Sequence, residues 1–252
     1  MKIHLLLKKE DIDKEKMKDN KVAVVFDILL ATSTITAALD FGAKEIIPVL
    51  NGEEAQKEAF GRSEGSYVLV GEYGGRTIEG FLSPNPMDLK EKVNGKTVIL
   101  STTNGTVAIK NSAEAKAVYV ASLLNSQTVA EHILKSYEDE TIVLVCSGSS
   151  GEFNVEDFFG AGYFIDCIAS QPNMELELTD SAMAAHRFFT GNRKENTKIL
   201  RESQIGKMLL RYGYDKEIDF VANYSIFQVI TRLENGKTLG SEGSLVKKVG
   251  GE

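Results

Sequence analysis

The stretch from Val22 to Val49 constrains this chain more than any other. It opens with an unbroken apolar run, Val22 to Phe26. Such a run reads as a strand buried on both faces, because a half-exposed strand would alternate apolar and polar side chains. The run ends on a carboxylate, Asp27, and passes into the hydroxyls of Thr32, Ser33 and Thr34. Ile35, Ala38 and Leu39 then recur at helical spacing up to Gly42, which suits a helix stop. A second apolar run, Ile46 to Leu50, follows at once. The pattern predicts a β-α-β unit with a right-handed crossover. The first strand then ends in one acid and three hydroxyls beside a helix N-terminus, a place suited to a metal ion and an anion.

Two later segments echo this arrangement. Thr97 to Leu100 reads as a strand that runs into Ser101-Thr102-Thr103-Asn104-Gly105-Thr106, and Thr141 to Val145 as one that runs into Cys146-Ser147-Gly148-Ser149-Ser150-Gly151. In an open parallel sheet the three loops would share one edge. Further strands are expected at Lys2–Leu7, Tyr67–Val70 and Ala117–Val120. Helices are expected at Gly52–Phe60, Ser126–Ser136, Val155–Ala169, Leu176–Thr190 and Glu202–Tyr212. Thr77 to Asn94 reads as a long irregular excursion and Gly191 to Lys198 as a polar loop. Ile218 to Val249 holds short apolar runs and an Asn235-Gly236 turn, without a period that assigns it. The expectation is therefore an α/β fold over residues 1–252, a mixed and largely parallel sheet with helices on both faces, with room for two lobes.

Composition narrows the function. With 29 Lys and Arg against 36 Asp and Glu, the formal charge is -7, which argues against non-specific nucleic-acid binding. Cys146 and Cys167 make no disulfide framework and read as buried thiols. No stretch is apolar enough for a membrane span, and Met1 to Leu7 is too short for a signal peptide, so a cytoplasmic location is expected. A homodimer is left open.

Each candidate residue has a structural alternative. Asp27 serves as metal ligand and acid–base group, or as a turn residue. The Thr32-Ser33-Thr34 run holds an anion, or caps its helix. The segment Thr102 to Thr106 surrounds a phosphate with backbone N–H groups, or is an ordinary capped turn; it is no Walker loop. Glu156 and Asp157 suit Mg²⁺, which favours oxygen ligands, or belong to a helix start in which Asp157 reaches back to Asn154. Glu72, in a glycine-rich turn, is a further acid. Cys146 is no phosphatase nucleophile, because position 152, where such chemistry needs Arg, is Glu. His4, His132 and His186 have no metal spacing, and Asp27 is followed two places later by Leu29 rather than by a second Asp.

Taken together these segments resemble the 2-phosphosulfolactate phosphatase (ComB) family. The resemblance rests on Asp27 to Thr34, Gly42-Ala43 through Pro48, Gly71-Glu72 with Gly75, the unchanged Thr-Thr-Asn-Gly-Thr of 102–106, and Ser147-Gly148 through Glu156-Asp157. It implies a Mg²⁺-dependent phosphatase that acts on a small anionic phosphate ester, 2-phospho-3-sulfolactate, a step toward coenzyme M. On this reading Asp27, Glu72 and Asn104 are the candidate catalytic groups. Thr32, Ser33, Thr34, Thr102, Thr103, Gly105, Thr106, Ser147 and Gly148 would bind substrate, and Asp27, Glu156 and Asp157 would hold the metal. Two departures stand out: Leu30 and Tyr73 occupy positions where the family usually has Arg. Arg holds phosphate and sulfonate bidentately, so these changes point to weaker recognition of such groups. The other readings are a phosphatase for a different ester and a non-catalytic anion-binding protein on the same scaffold.

Overall fold

The computed structural model describes residues 1–242; the end of the tail, from 243 on, lies outside the described residues. In chain order the elements are β1 (Lys2–Leu6), a 3-10 turn at Lys9–Asp11, α1 (Lys14–Met17), β2 (Lys21–Phe26), α2 (Ala31–Asp40), β3 (Glu45–Val49), α3 (Gly52–Ala59), β4 (Tyr67–Tyr73), β5 (Arg76–Thr77), α4 (Pro86–Leu89) and β6 (Thr97–Ser101). There follow α5 (Gly105–Asn111), β7 (Ala117–Ala121), α6 (Ser126–Ser136), β8 (Thr141–Cys146), α7 (Val155–Ala169), β9 (Glu177–Leu178) and α8 (Asp180–Gly191). The chain ends in α9 (Asn196–Glu202), α10 (Gln204–Arg211), α11 (Asp215–Val221), β10 (Val229–Glu234) and β11 (Lys237–Glu242). Among the described residues no helix is long and apolar enough to cross a membrane.

The strands form one eleven-stranded sheet in the order β5-β4-β6-β3-β11-β10-β7-β2-β8-β1-β9. As the sequence predicts, it is mixed and largely parallel, with helices on both faces. It consists of two groups. β7, β2, β8, β1 and β9 pair in parallel with one another. β3, β6 and β4 form a second parallel set, to whose edge β5 adds antiparallel. The β10–β11 hairpin lies between the groups and pairs antiparallel with each, through Arg232↔Tyr119 and Thr238↔Ile46.

This arrangement corrects the β-α-β reading of Val22 to Val49. β2 and β3 are not neighbours, and α2 carries the chain from one group of strands to the other. The inserted hairpin comes from the tail, whose place no local pattern reveals. Three further readings shift. The strand β9 takes Glu177 and Leu178 from the expected second helix, because their backbone pairs with Lys2 and Ile3, and that helix starts at Asp180. The expected polar loop at 191–198 already contains the start of α9. The helix expected from Glu202 is broken at Ser203, whose hydroxyl accepts from the Gly206 N–H and caps α10.

The core explains how the two groups meet. One buried cluster joins Ala23, Val25, Val118, Val120, Val143 and Val145 of the first group to Ile46, Val70, Val98 and Leu100 of the second, through Ile35, Ala38 and Leu39 of α2 and Ala108 and Ile109 of α5. The two groups therefore face each other across α2 and α5. The outer face of the first group packs on α6, α7, α8 and the helices after them, and that of the second on α3. Helices α7 and α8 pack closely: a Cβ at Gly162 would lie 2.3 Å from the Ala185 carbonyl oxygen.

Candidate active site

The chain segments that leave β2, β6, β8 and β4 converge on one cavity of about 230 Å³. Asp27 and Ala31 come from the end of β2 and the start of α2, Thr102, Thr103 and Asn104 from the end of β6, and Ser149, Ser150 and Asn154 from the loop after β8. Glu72, Gly74 and Gly75 come from the β4–β5 turn. The shared edge expected from the three loops is thus made by two groups of strands, not by one parallel sheet. Their approach is close: a Cβ at Gly105 would lie 2.4 Å from Ala31 Cβ and 2.7 Å from Asp27 Oδ2. Part of the lining is apolar, with Leu29, Leu30, Ile205, Met208, Leu209 and Tyr214.

Asp27 is buried to all but 8% of its surface. The Ala31 N–H donates to Oδ1 at 3.3 Å, and Oδ2 accepts no hydrogen bond among the described residues. Burial, then repulsion from Glu72 and Glu156, pushes its carboxyl up to about 7, against the pull of the Ala31 N–H and Lys9. Glu72 is a brace as well as an acid. Its Oε1 accepts from the Thr103 N–H at 2.7 Å, and its Oε2 accepts from the Gly75 N–H at 2.7 Å and from the Thr103 hydroxyl at 3.1 Å. These bonds tie the β4–β5 turn to the loop after β6. Asn104 lines the cavity and accepts at Oδ1 from Lys9 Nζ at 2.9 Å.

The other expected site residues lie behind this surface. The hydroxyls of Thr32, Ser33 and Thr34 sit inside α2, buried, and donate to the carbonyl oxygens of Asp27, Ile28 and Leu30. A hydroxyl within a helix readily bonds back to the preceding turn, so these three shape the strand-to-helix bend and do not line the cavity. Thr106 likewise pairs with Thr102: the Thr106 N–H donates to Thr102 Oγ1 at 3.1 Å, and the Thr106 hydroxyl donates to the Thr102 carbonyl at 2.9 Å. Gly105 sits where any side chain would strike Asp27. Gly148 has φ +61° and Glu152 O 2.5 Å from a built Cβ, so only glycine fits there. The Ser147 hydroxyl is fully buried and finds no partner among the described residues.

Asp157 does not reach back to Asn154. Its Oδ1 accepts from the Ile28 N–H at 2.9 Å and its Oδ2 from the Gly148 N–H at 3.2 Å, so it clamps the loop after β2 to the loop after β8. Burial, Asp27 and Glu156 together push its carboxyl well up. Glu156 is also buried, which pushes it up to about 7, and its Oε1 has no hydrogen-bond partner among the described residues. Asp27, Glu156 and Asp157 therefore do not converge as the three-carboxylate metal set that the sequence suggests. Among the described residues, no three His, Cys, Asp or Glu side chains do. Cys146 is buried and its thiol is pushed well up, by burial first and by Asp157 and Glu156 after it, which fits an inert core residue.

Sequence reasoning missed the apolar wall and Lys9. Apart from Leu29 and Leu30, the wall comes from α10 and the turn after it, far along the chain, and carries no local signature. Lys9 had one: β1 is parallel to β8, so the residues that follow β1 leave the sheet on the site's edge.

With this geometry established, comparison with known proteins identifies the group to which the chain is similar. The family profile described as 2-phosphosulpholactate phosphatase matches residues 6–236. The probable 2-phosphosulfolactate phosphatase of Clostridium acetobutylicum is 40% identical over 244 residues, which cover 95% of this chain and 100% of that relative. The probable 2-phosphosulfolactate phosphatase of Clostridium beijerinckii is 38% identical, covering 94% of this chain and 98% of the relative. That of Thermotoga petrophila is 38% identical, covering 86% and 90%. A match over nearly the whole chain, with relatives so similar from end to end, means that the chain belongs to the 2-phosphosulpholactate phosphatase family.

Proposed function

We propose that this chain hydrolyses 2-phosphosulfolactate to sulfolactate and phosphate, with Mg²⁺ as cofactor. The observation that carries the reading is the meeting of Asp27, Glu72 and the Thr102–Asn104 loop at one cavity, in a chain of this family. Asp27 is the acid with an unbonded oxygen beside the cavity, so the nucleophilic or acid–base role falls to it. Asn104 offers an amide donor to a phosphoryl oxygen, and Glu72 holds the loop that carries it.

Mg²⁺ fits this donor set although no ready-made cage exists. It usually binds through one or two carboxylates, waters and substrate phosphate oxygens. Asp27 and Glu72 at the cavity would hold it; burial and, after it, repulsion from Glu72 raise the Asp27 carboxyl, and a bound cation would offset both. When bound, it supplies positive charge for the phosphoryl oxygens. The test is phosphate release from 2-phosphosulfolactate by the purified chain. Turnover with Mg²⁺ that stops on adding EDTA is the expected result, and full turnover in the chelator would remove the metal from the reading.

A second reading, a different phosphate ester as the better substrate, is favoured by the cavity wall. Among the described residues that line it there is no Lys, Arg or His. A sulfonate would have to find its partner elsewhere.

A further inference from the structure

Lys9 is the first residue of the 3-10 turn that follows β1, and its side chain is only 11% exposed. Its N–H donates to the Ser147 carbonyl at 3.1 Å, which fixes the backbone to the loop after β8. Its Nζ reaches across to the loop after β6 and donates to Asn104 Oδ1 at 2.9 Å, with Glu10 Oε1 at 3.0 Å on the other side. A lysine drawn inward gives up hydration, and a pair with the more exposed Glu10 could form equally well in solvent. The inward position is accounted for by the contact with Asn104.

That contact decides which end of an amide faces the cavity. An ammonium group only donates, so the end of Asn104 held by Lys9 must be the carbonyl oxygen. Nδ2, with its two N–H donors, is then the end left for the cavity that Asn104 lines. A flipped amide would aim its oxygen at the substrate's anionic oxygens and repel them. We propose that Lys9 is a positioning residue: it locks the Asn104 side chain so that its N–H donors, not its oxygen, meet the phosphoryl group. The proposal rests on the phosphatase reading. Lys9 also lies near enough to Asp27 to oppose, weakly, the burial and the repulsion that push its carboxyl up.

The test is a double-mutant cycle on the full chain with Lys9→Met, Asn104→Ala and the pair. Lys9→Met keeps an aliphatic stem of similar length and removes the ammonium. Losing a charge-assisted bond that orients a donor should lower kcat/KM for the phosphate ester by roughly tenfold to a hundredfold. In the Asn104→Ala background the same change should cost less than about threefold, because its target is gone. Lys9→Arg, which still donates, should recover most of the activity, whereas a purely structural loss would not depend on the donor. Unchanged kinetics in Lys9→Met, or an equal loss with and without Asn104, would overturn the proposal. If the parent chain hydrolyses no phosphate ester, the phosphatase reading fails by itself. The cycle is then run on the affinity for inorganic phosphate by calorimetry, where the same non-additivity is expected and simple additivity counts against Lys9.

Discussion

Leu30 is one of the two positions at which the resemblance to the family leads to an expectation of Arg. It lines the cavity wall, whereas Tyr73, the other such position, is 79% exposed and outside the lining. The two departures are therefore unequal. An Arg side chain at Leu30 would enter the cavity, where a charge-assisted hydrogen bond to sulfonate or phosphate is worth ~1.5–3 kcal/mol. Leu30→Arg should raise kcat/KM for 2-phosphosulfolactate by roughly tenfold to a hundredfold, while Tyr73→Arg should change it little. Steady-state rates of both variants check this, and equal effects would show that exposure is the wrong guide. At this scale part of the candidate site's lining was legible in the sequence. Asp27, Glu72, Thr102, Thr103 and Asn104 reach the cavity because acids, hydroxyls and amides at strand ends have few other places to go. Thr32 to Thr34 carried the same residue types and turned inward. The hydroxyls of a helix interior have backbone acceptors within reach, and composition does not register that competition.

At the scale of elements, the decisive piece is the β10–β11 hairpin. It joins the second group of strands through one registered pair, Thr238↔Ile46, so side chains must help to hold it. Glu45 of β3 does so. Its carboxylate receives Thr97 Oγ1 at 3.0 Å and Lys237 Nζ at 3.1 Å. Burial pushes that carboxyl up, but the bonds from Lys237 and Thr97 and the charge of Arg62 outweigh burial and leave it below its usual value. A depressed acid contributes stability above its unfolded pKa and loses it as pH falls through the folded value. Glu45→Gln should thus cost about 1 kcal/mol near neutral pH, allowing for solvent screening at this edge. The gap to the parent should close in acid. Urea unfolding of both chains at several pH values measures it, and a gap that does not change with pH would rule out the carboxylate. The helices α6 and α7 were readable end to end for different reasons: α6 buries a periodic stripe of Ser126, Val129, Ala130 and Ile133, whereas α7 is a long apolar run buried on nearly every side. The hairpin was not: its apolar residues are few, and its pairing partners, Ile46 and Tyr119, lie far back in the chain.

The whole molecule brings one group of strands against the other, and the site is where they touch. Asp27 stands on one group, and Glu72, Thr103 and Asn104 stand on the other. No local pattern states this, which is why the sequence indicates three similar loops but not the curled sheet that makes them meet. Gly105 is a point of close approach between them. As the first residue of α5, it faces Ala31 and Asp27 so tightly that even a methyl group has no room. Gly105→Ala should act as a wedge between the halves. Overpacking of this kind costs about 1–3 kcal/mol, and relief by separation would move Asn104 and Thr103 away from Asp27. The expected outcome is a lower melting temperature together with a fall in kcat/KM larger than the stability loss alone would produce at a temperature where the variant is fully folded. A gain of stability would have the opposite meaning, since alanine is the better helix former. In that case the backbone preference at the start of α5 would govern the position, and the contact between the halves would be slack enough to admit a side chain.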